Sequence, residues 1–414
     1  MPTLTERLKS LGVKKGAESL KPPKPHSNFP VEEVVPGRFV DSRGGSTFLI
    51  EKKFSPDYKH GQVGLQFNTP LRVIAEWAGS NIISENNLCE FAFLDTETSG
   101  LAGGTGTFAF LVGVGRFVEQ DFRLTQFFMR DPLEEPALLL ALEEFLAPCK
   151  TLVTFNGKSF DVPLLTTRYI LQGWPSPMRR MAHIDLLHLA RRLWRERLPS
   201  RTLSNLEVQI LGALRSDEEI PGWMIPQMYF DYLRDGDARP LKRVFYHNMM
   251  DVLSMSALLN MVSNLLEEPG QEDDMPASDQ AAIGRLYDEL GHFDLAEQAY
   301  ITSLGVEQPG EMRLTTVLYL ASLRKRRGDD LGAIPLWEQA AEGGYIEAFI
   351  ELAKYYEHRA KTIPTAIYWA QAASRQILTP DFPDAERQTW QFDIEHRLDR
   401  LVSKNKQNQK GEIE

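Results

Sequence analysis

Hydrophobic and polar positions follow two different patterns between residues 90 and 172. Four short apolar runs predict strands: FAFLD (91–95), FAFLVGVGRF (108–117), RLTQFFM (123–129) and TLVTF (151–155). Helical periodicity in PALLLALEEFL (136–146) and DVPLLTTRYILQ (161–172) predicts the helices that lie between and after them. Three strands, a helix, a strand and further helices up to about residue 266 predict an α/β domain with a mixed sheet.

The last third of the chain shows amphipathic helical patterns with a weak internal repeat. Gly284, Tyr287, Gly291, Ala296 and Tyr300 are spaced as in a tetratricopeptide unit, and similar small and aromatic residues recur twice further along the chain. Small residues suit the close approach of paired helices, and aromatic residues suit the packing of the next unit. We therefore predict tetratricopeptide-like repeats, with an ordinary helical bundle as the alternative.

Proline-rich and acidic segments suggest the boundaries between these regions. The predicted division is an N-terminal helix, linker and small β-rich preface (1–84), the α/β domain (85–265), an acidic linker (266–280), the helical repeats (281–403) and a disordered tail (404–414).

The composition and net charge of the chain exclude several classes of protein. The 414 residues are 43% hydrophobic and 25% charged, as in ordinary globular proteins, and no apolar run approaches the roughly 18 residues of a membrane helix. The formal net charge of −11 argues against a protein that coats polyanions, although a local basic surface remains compatible with it. With two cysteines and no secretory signal pattern, we expect a cytoplasmic protein without a disulfide framework.

Four acidic residues stand out at the ends of predicted elements. Asp95 and Glu97 follow the first buried strand, and alternation places both side chains on one face, with Cα atoms roughly 6–7 Å apart. Asp161 begins a helix after the Asn-Gly turn that ends a later strand. Asp251 lies in an apolar stretch of a late helix, where a buried acid needs a partner such as a metal ion. Each of these acids alone also has an ordinary structural explanation.

Together and in this order, the motifs resemble the three exonuclease motifs of the DEDD superfamily, whose members have a ribonuclease H-like fold. The segments GLAGGTGTFAFLVGVG, HIDLLHLARRLW, IPGWMIPQMYFDYL and HNMMDVLSM further resemble the YprB-like family of bacterial ribonuclease H-domain proteins. Members of that family often carry tetratricopeptide helices at the C-terminus. The resemblance covers residues 85–265 well and the first 80 residues only loosely.

The resemblance implies a metal-dependent 3′→5′ exonuclease acting on single-stranded DNA or RNA by a two-metal mechanism. Asp95, Glu97, Asp161 and Asp251 would be the metal ligands, and their hard oxygen donors suit two Mg²⁺ or Mn²⁺ ions.

The resembled superfamily places a general base before the last Asp, either a His five residues earlier or a Tyr four residues earlier. Here the order is inverted, with Tyr246 five and His247 four residues before Asp251. Helical geometry favours His247, about 40° from Asp251 against about 140° for Tyr246. His247 also has the more suitable unperturbed pKa. Activation of water by metal alone, with His247 as a packed helix residue, stays an alternative.

Several further residues are candidates for substrate binding. By resemblance, Thr96, Thr98 and Leu101 lie beside the terminal nucleotide, with Leu101 as a wedge against its base, and Phe160 belongs to the second motif. Asn156 could bond the substrate or cap its own turn. The glycine-rich residues 103–107 could cradle phosphate or form a flexible turn, the latter being slightly favoured.

A local basic segment lies between residues 179 and 201, with seven arginines and two acids. From it we take Arg191, Arg192 and Arg195 as candidates for tracking phosphates, and a solvated amphipathic helix is the competing interpretation. The expected partners are nucleic acid and a protein bound through the helical repeats, with no membrane. The alternative function is a non-catalytic nucleic-acid-binding and interaction scaffold.

Overall fold

The computed structural model describes residues 29–100, 106–267 and 275–411, with side chains through residue 408. Contacts divide the chain into two compact units. The first comprises Met1–Leu189 and Ser200–Glu267, and the second comprises Ala190–Pro199 and Glu268–Glu414. The predicted N-terminal helix, Leu101, and most of the acidic linker lie outside the described residues.

The first unit is built on a seven-stranded mixed sheet in the order β1-β2-β7-β6-β5-β8-β9. Its strands are β1 (Arg38–Ser42), β2 (Gly45–Phe54), β5 (Phe91–Thr98), β6 (Ala109–Val118), β7 (Asp121–Phe128), β8 (Thr151–Thr154) and β9 (Ala182–Asp185). β3 (Lys59–His60) and β4 (Val63–Gly64) form a separate small hairpin. β5, β8 and β9 are parallel, and the other pairs in the large sheet are antiparallel. The prediction of an α/β fold with a mixed sheet is confirmed.

The β-rich preface is part of this sheet. β2 pairs antiparallel with β7 from Phe48 opposite Phe128 to Phe54 opposite Phe122, and β1 pairs with β2. The predicted boundary at residue 84 therefore does not separate a distinct domain. The physical reason is that β7 would otherwise leave a row of unpaired backbone groups at the sheet edge.

Helices flank the sheet in the first unit, and the last four residues of one of them, α6 (Leu186–Leu193), belong to the second unit. They are α1 (Val31–Val34), α2 (Arg72–Ala78), α3 (Ile82–Glu85), α4 (Glu135–Leu146), α5 (Asp161–Leu171), α6 (Leu186–Leu193), α7 (Leu203–Leu206), α8 (Ile225–Asp235) and α9 (Leu241–Glu267). α9 is long and apolar enough to cross a membrane by length and composition, but 72% of the relevant window is buried inside the protein. It is a core helix, and its apolar residues pack toward the sheet.

The second unit contains, within the described residues, the C-terminal helices and the segment 190–199. Its helices are α10 (Ala277–Leu290), α11 (Phe293–Gly305), α12 (Gly310–Arg326), α13 (Asp330–Glu342), α14 (Ile346–His358), α15 (Ile363–Ile377) and α16 (Asp384–Gly411). The predicted small residues are at close contacts. A Cβ atom on Gly284 would lie 2.7 Å from the ring of Tyr300, and Ala296 and Ala333 are fully buried. An all-helical C-terminal region is confirmed, and its tetratricopeptide character stays a prediction.

One local prediction needs correction. The tail expected to be disordered from residue 404 continues α16 as far as Gly411. Lys404 explains part of this extension, because its ammonium group bonds the Glu357 carboxylate at 2.6 Å.

Candidate active site

The first two acids lie on β5, an interior strand of the sheet between β6 and β8. Asp95 lies opposite Gly113 of the neighbouring strand β6. Glu97 follows two positions later on β5, so its side chain is on the same face of the sheet as that of Asp95. Glu97 is 8% exposed. Its carboxylate is therefore largely withdrawn from water, which disfavours the charged form, and the positive charge of Arg215 offsets only part of that effect.

Asp161 is held beside β5 at the start of α5. Thr96 donates a hydrogen bond from Oγ1 to Asp161 Oδ1 at 2.5 Å. The preceding turn is fixed by the buried Asp185, whose carboxylate accepts hydrogen bonds from the backbone N–H of Asn156 (2.7 Å) and of Lys158 (3.0 Å). Asn156 has a φ of +66°, a conformation that Asn tolerates better than most residues. Asp185 is therefore a positioning residue for the loop that carries Asp161.

Asp251 lies on α9 within a network of charged side chains centred on Arg215. The Arg215 guanidinium forms ion pairs with Asp251, Glu207 and Glu219, and lies 3.3 Å from His247 Nδ1. We refer to these five residues as the Arg215 network. Because Arg215 presents several donors in a rigid fork, it can satisfy more than one carboxylate at once.

Asn248 joins α9 to the first acid. Its Nδ2 donates to Asp95 Oδ2 at 2.8 Å, while its Oδ1 accepts from Nε2 of the buried Gln126 at 2.9 Å. This approach requires a glycine opposite Asp95, because a Cβ on Gly113 would lie 2.1 Å from Asn248 Oδ1. The sheet and α9 are thus connected through a fully buried amide.

The electrostatics of the carboxyls indicate that the four acids share one site. Burial, with the charges of Asp251 and Asp161, holds the pKa of Asp95 well above its usual range. Burial and the charges of the same three aspartates raise the pKa of Glu97. Burial raises the pKa of Asp161 to about 6. Crowded acids of this kind take up protons or bind cations.

The donor set fits a hard divalent cation in kind, since all four side chains offer carboxylate oxygens. The side chains do not converge as ligands, however: across residues 29–100, 106–267 and 275–408, no group of three His, Cys, Asp or Glu is arranged to hold a metal ion. Asp251 is turned toward Arg215, and Asp95 bonds Asn248. To bind a metal ion, Asp251 would therefore have to leave its ion pair with Arg215.

His247 and Tyr246 have different surroundings. His247 Nδ1 lies 2.6 Å from Glu219 Oε1, and its Nε2 lies 3.6 Å from Asp251 Oδ2. Burial lowers the pKa of His247, but the bond to Glu219 and the charge of Asp251 outweigh it, so the net shift is upward. The Tyr246 hydroxyl instead accepts a hydrogen bond from Ser216 N at 2.9 Å. Of the two, His247 is the one directed toward Asp251.

The predicted substrate-binding residues fall in two places. Near the acids, Thr98 Oγ1 donates to the Gly100 carbonyl at 2.8 Å, and Phe160 is 55% exposed just before Asp161. Leu101 lies outside the described residues. Arg191, Arg192 and Arg195 belong to the segment assigned to the second unit. There Arg192 forms an ion pair with Glu289, while Arg191 and Arg195 are exposed.

Comparisons with known proteins agree with this fold. The sequence profile of the RNase H superfamily matches residues 92–263, which carry all four acids. The chain is 32% identical over 339 residues to the uncharacterized protein YprB of Bacillus subtilis (strain 168), covering 78% of this chain and 79% of the relative. The chain belongs to the YprB family of RNase H-like proteins. A family B DNA polymerase from the archaeon Pyrobaculum calidifontis aligns with 53% of this chain and 30% of its own, at 17% identity and a TM-score of 0.32.

Sequence reasoning missed the partners of the acids. Arg215, Glu207 and Glu219 lie between the predicted motifs and far from Asp251 in the chain, so no local spacing marks them. Gln126 lies inside an apolar strand, where a buried polar residue is itself a signal, because it must find a partner elsewhere. Asp185 also caps the start of α6, since Leu187 N donates a hydrogen bond to its carboxylate at 3.1 Å.

Proposed function

We propose that this protein is a divalent-metal-dependent nuclease, specifically a 3′→5′ exonuclease that hydrolyses single-stranded DNA or RNA. The observation that carries the proposal is the gathering of Asp95, Glu97, Asp161 and Asp251 at one end of β5, where the charges of Asp161 and Asp251 raise the pKa of Asp95 and the charges of all three aspartates raise the pKa of Glu97. A ribonuclease H-like fold supports the coarser assignment to nuclease-type chemistry.

Two Mg²⁺ or Mn²⁺ ions, when bound, would neutralise charge at the phosphoryl group and make water more acidic. The four carboxylates would hold them. His247 would take the proton of the attacking water on Nε2, because the Glu219 carboxylate beside Nδ1 favours the tautomer that carries its proton on Nδ1. Thr96 would orient Asp161, and Asn248 would orient Asp95.

Cleavage of end-labelled oligonucleotides tests the proposal. Wild-type protein with Mg²⁺ or Mn²⁺ should release mononucleotides from the 3′ end, and matched DNA and RNA strands would identify the substrate. Asp95→Asn and Asp251→Asn should abolish cleavage. Glu144→Gln, which removes one charge from an exposed position on α4, is the control and should cleave normally. Wild-type turnover in either Asp variant would refute the assignment.

A non-catalytic nucleic-acid-binding scaffold is the second candidate function. The observation that favours it is the ion pair of Asp251 with Arg215, which leaves the acids without a converged ligand geometry. In that case the wild-type protein binds labelled strands but cleaves none in either metal, and Asp95→Asn leaves metal binding unchanged. Its helical repeats would then bind a protein partner. For either function we propose a cytoplasmic location, consistent with the two free cysteines.

A further inference from the structure

A cleft of about 410 Å³ lies between α14 and α16 in the second unit. The charged residues that α14 contributes recur at helical spacing and so share one face of that helix: Glu347, Glu351 and Lys354. The facing wall comes from α16 and includes Trp390, Asp393, Arg397 and Arg400. Two helical stripes therefore border the cleft, and its volume lies in the range of roughly 300–1,000 Å³ that is usual for ligand sites.

One end of the cleft carries an excess of positive charge. The buried carboxylate of Glu357, near the end of α14, accepts hydrogen bonds from Arg400 and Lys404 at 2.6 Å each and lies 3.4 Å from Arg397 Nη1. One negative charge thus faces three positive charges, and Arg397 and Arg400 also line the cleft. Burial and the charge of Arg400 lower the pKa of Arg397. This end therefore favours an anionic group, which would relieve the repulsion between the arginines.

The other end of the cleft is acidic. Glu347 precedes Lys354 by seven residues, and Asp393 precedes Arg400 by seven, so each acid lies about 10 Å along its helix from the basic end. Both acids are exposed, and neither forms an ion pair within the residues whose side chains the structure describes.

Trp390 lies beside these acids, one turn before Asp393 on α16. Its ring is half-buried, packs against the core of the helical region and lines the cleft. Cations bind favourably over such a ring. Glu351, in the middle of the cleft, differs from the two free acids because Lys325 and Lys354 already neutralise it. The acidic end therefore favours a basic group.

This order of charges disfavours a nucleic-acid strand as the occupant. A strand carries a phosphate on every nucleotide, so phosphates bound at the basic end would bring others beside Glu347 and Asp393, where like charges repel. A peptide, in contrast, can present one basic and one acidic side chain. Residues four apart on an extended chain point to the same side and are about 13 Å apart. That separation matches the roughly 10–15 Å along α16 between Trp390 or Asp393 and Arg400.

We propose that the cleft between α14 and α16 docks an extended peptide segment of another protein, in which a basic and an acidic residue are four positions apart. The basic side chain lies over Trp390 beside Asp393, and the acidic side chain lies against Arg397 and Arg400. The inference goes beyond the nuclease assignment and does not rest on it, because every residue of the cleft belongs to the second unit.

The test measures the binding of short peptides to the full-length protein in EDTA by fluorescence anisotropy. Each peptide carries an uncharged dye, and the reference peptide has one arginine and one glutamate separated by three alanines, made in both orders. Companion peptides replace the arginine by glutamate or the glutamate by glutamine. Asp393→Lys reverses the charge of the acidic end. Asp399→Lys is the matched control, because Asp399 is also exposed on α16 but does not line the cleft.

We expect the reference peptide to bind the wild type and Asp399→Lys equally, and Asp393→Lys about tenfold or more weakly, since like charges then meet. The peptide with two glutamates should reverse this order and bind Asp393→Lys better than the wild type. A role of Asp393 in the fold alone would not produce that reversal. If Asp393→Lys fails to fold by circular dichroism, Glu347→Lys carries the same expectation.

Arg397→Gln tests the basic end separately. It should weaken binding of the reference peptide by about two- to fivefold, the effect of a partly exposed ion pair. It should not weaken binding of the glutamine peptide further, because that peptide has already lost the same contact.

Three results would overturn the inference. The first is equal affinity for all peptides, or no saturable binding of any. The second is an eight-nucleotide single strand that displaces the reference peptide and loses affinity in Arg397→Gln, which would assign the cleft to nucleic acid. The third is a wild-type dimer in sedimentation that dissociates in Asp393→Lys but not in Asp399→Lys, which would assign it to a second copy of the chain. Oligonucleotide cleavage is measured separately, so failure of the nuclease proposal leaves these outcomes unchanged.

Discussion

The substitution Asp161→Asn should stabilise the metal-free protein at alkaline pH. Burial raises the pKa of Asp161 to about 6, from 3.8 for an ordinary Asp. The folded state therefore holds this proton more tightly than the unfolded state, so the ionised carboxylate destabilises the fold. This loss of stability is fully present above pH 6, decreases as the pH falls from 6 to 3.8, and is absent below pH 3.8.

The difference of roughly two pKa units corresponds to about 3 kcal/mol, an upper bound since neighbouring carboxyls share the proton. Asn keeps the oxygen that accepts the hydrogen bond from Thr96 and removes the charge. In EDTA at pH 8, urea denaturation should therefore give a free energy of unfolding 1–3 kcal/mol higher for Asp161→Asn, by about the same estimate. At pH 4 the two proteins should be equal.

Asp185→Asn is the matched control, because Asp185 is also buried but accepts three backbone hydrogen bonds. Losing one acceptor should destabilise the protein by about 1–3 kcal/mol at pH 8. With Mn²⁺ at a hundred times its Kd, the wild type should gain about 2.7 kcal/mol and Asp161→Asn much less. A less stable Asp161→Asn protein in EDTA, or a difference that does not change with pH, would show that the acids are not crowded as described.

Three other outcomes follow from the site and the fold. If His247 is the general base, His247→Ala should reduce the cleavage rate by a factor of roughly 10²–10⁴, whereas Tyr246→Phe should reduce it by less than about tenfold. A loss below about tenfold in both variants would indicate that metal alone activates the water. Gly113→Ala should displace Asn248 and lower the free energy of unfolding by about 1–3 kcal/mol, whereas an unchanged denaturation midpoint would contradict the close packing. A fragment of residues 268–414 lacks residues 190–199 of the same unit, so it should expose apolar surface that is detected by dye binding or aggregation. A monomeric fragment that melts cooperatively would contradict the assignment of residues 190–199 to the second unit.

Local patterns along the chain were sufficient for the elements that hold the acids. β5 and β8 were predicted from apolar runs whose residues are almost all buried, and α5 was predicted to begin at Asp161, as it does. Period and burial are properties of a few consecutive residues, so a single sequence contains them.

Partners that come from distant parts of the chain could not be predicted. The pairing of β2 with β7 depends on an edge that only the folded sheet creates. The ion pair of Arg215 with Asp251 joins residues 36 positions apart, and many loop arginines have no such role. The ion pair of Arg192 with Glu289 could not be predicted for the same reason, since Glu289 lies in another region of the sequence, and the role of Arg192 as a phosphate contact stays a prediction.

The placement of residues 190–199 in the C-terminal unit bears on how the protein is made and how it arose. A ribosome releases this segment before the helices that it belongs with, so the buried Trp194 remains without them until at least residues 277–290 have been made. Chaperones would meet the chain in that interval. For the same reason, transferring residues 268–414 alone to another protein would leave out part of this unit, because residues 190–199 lie within the sequence of the first unit.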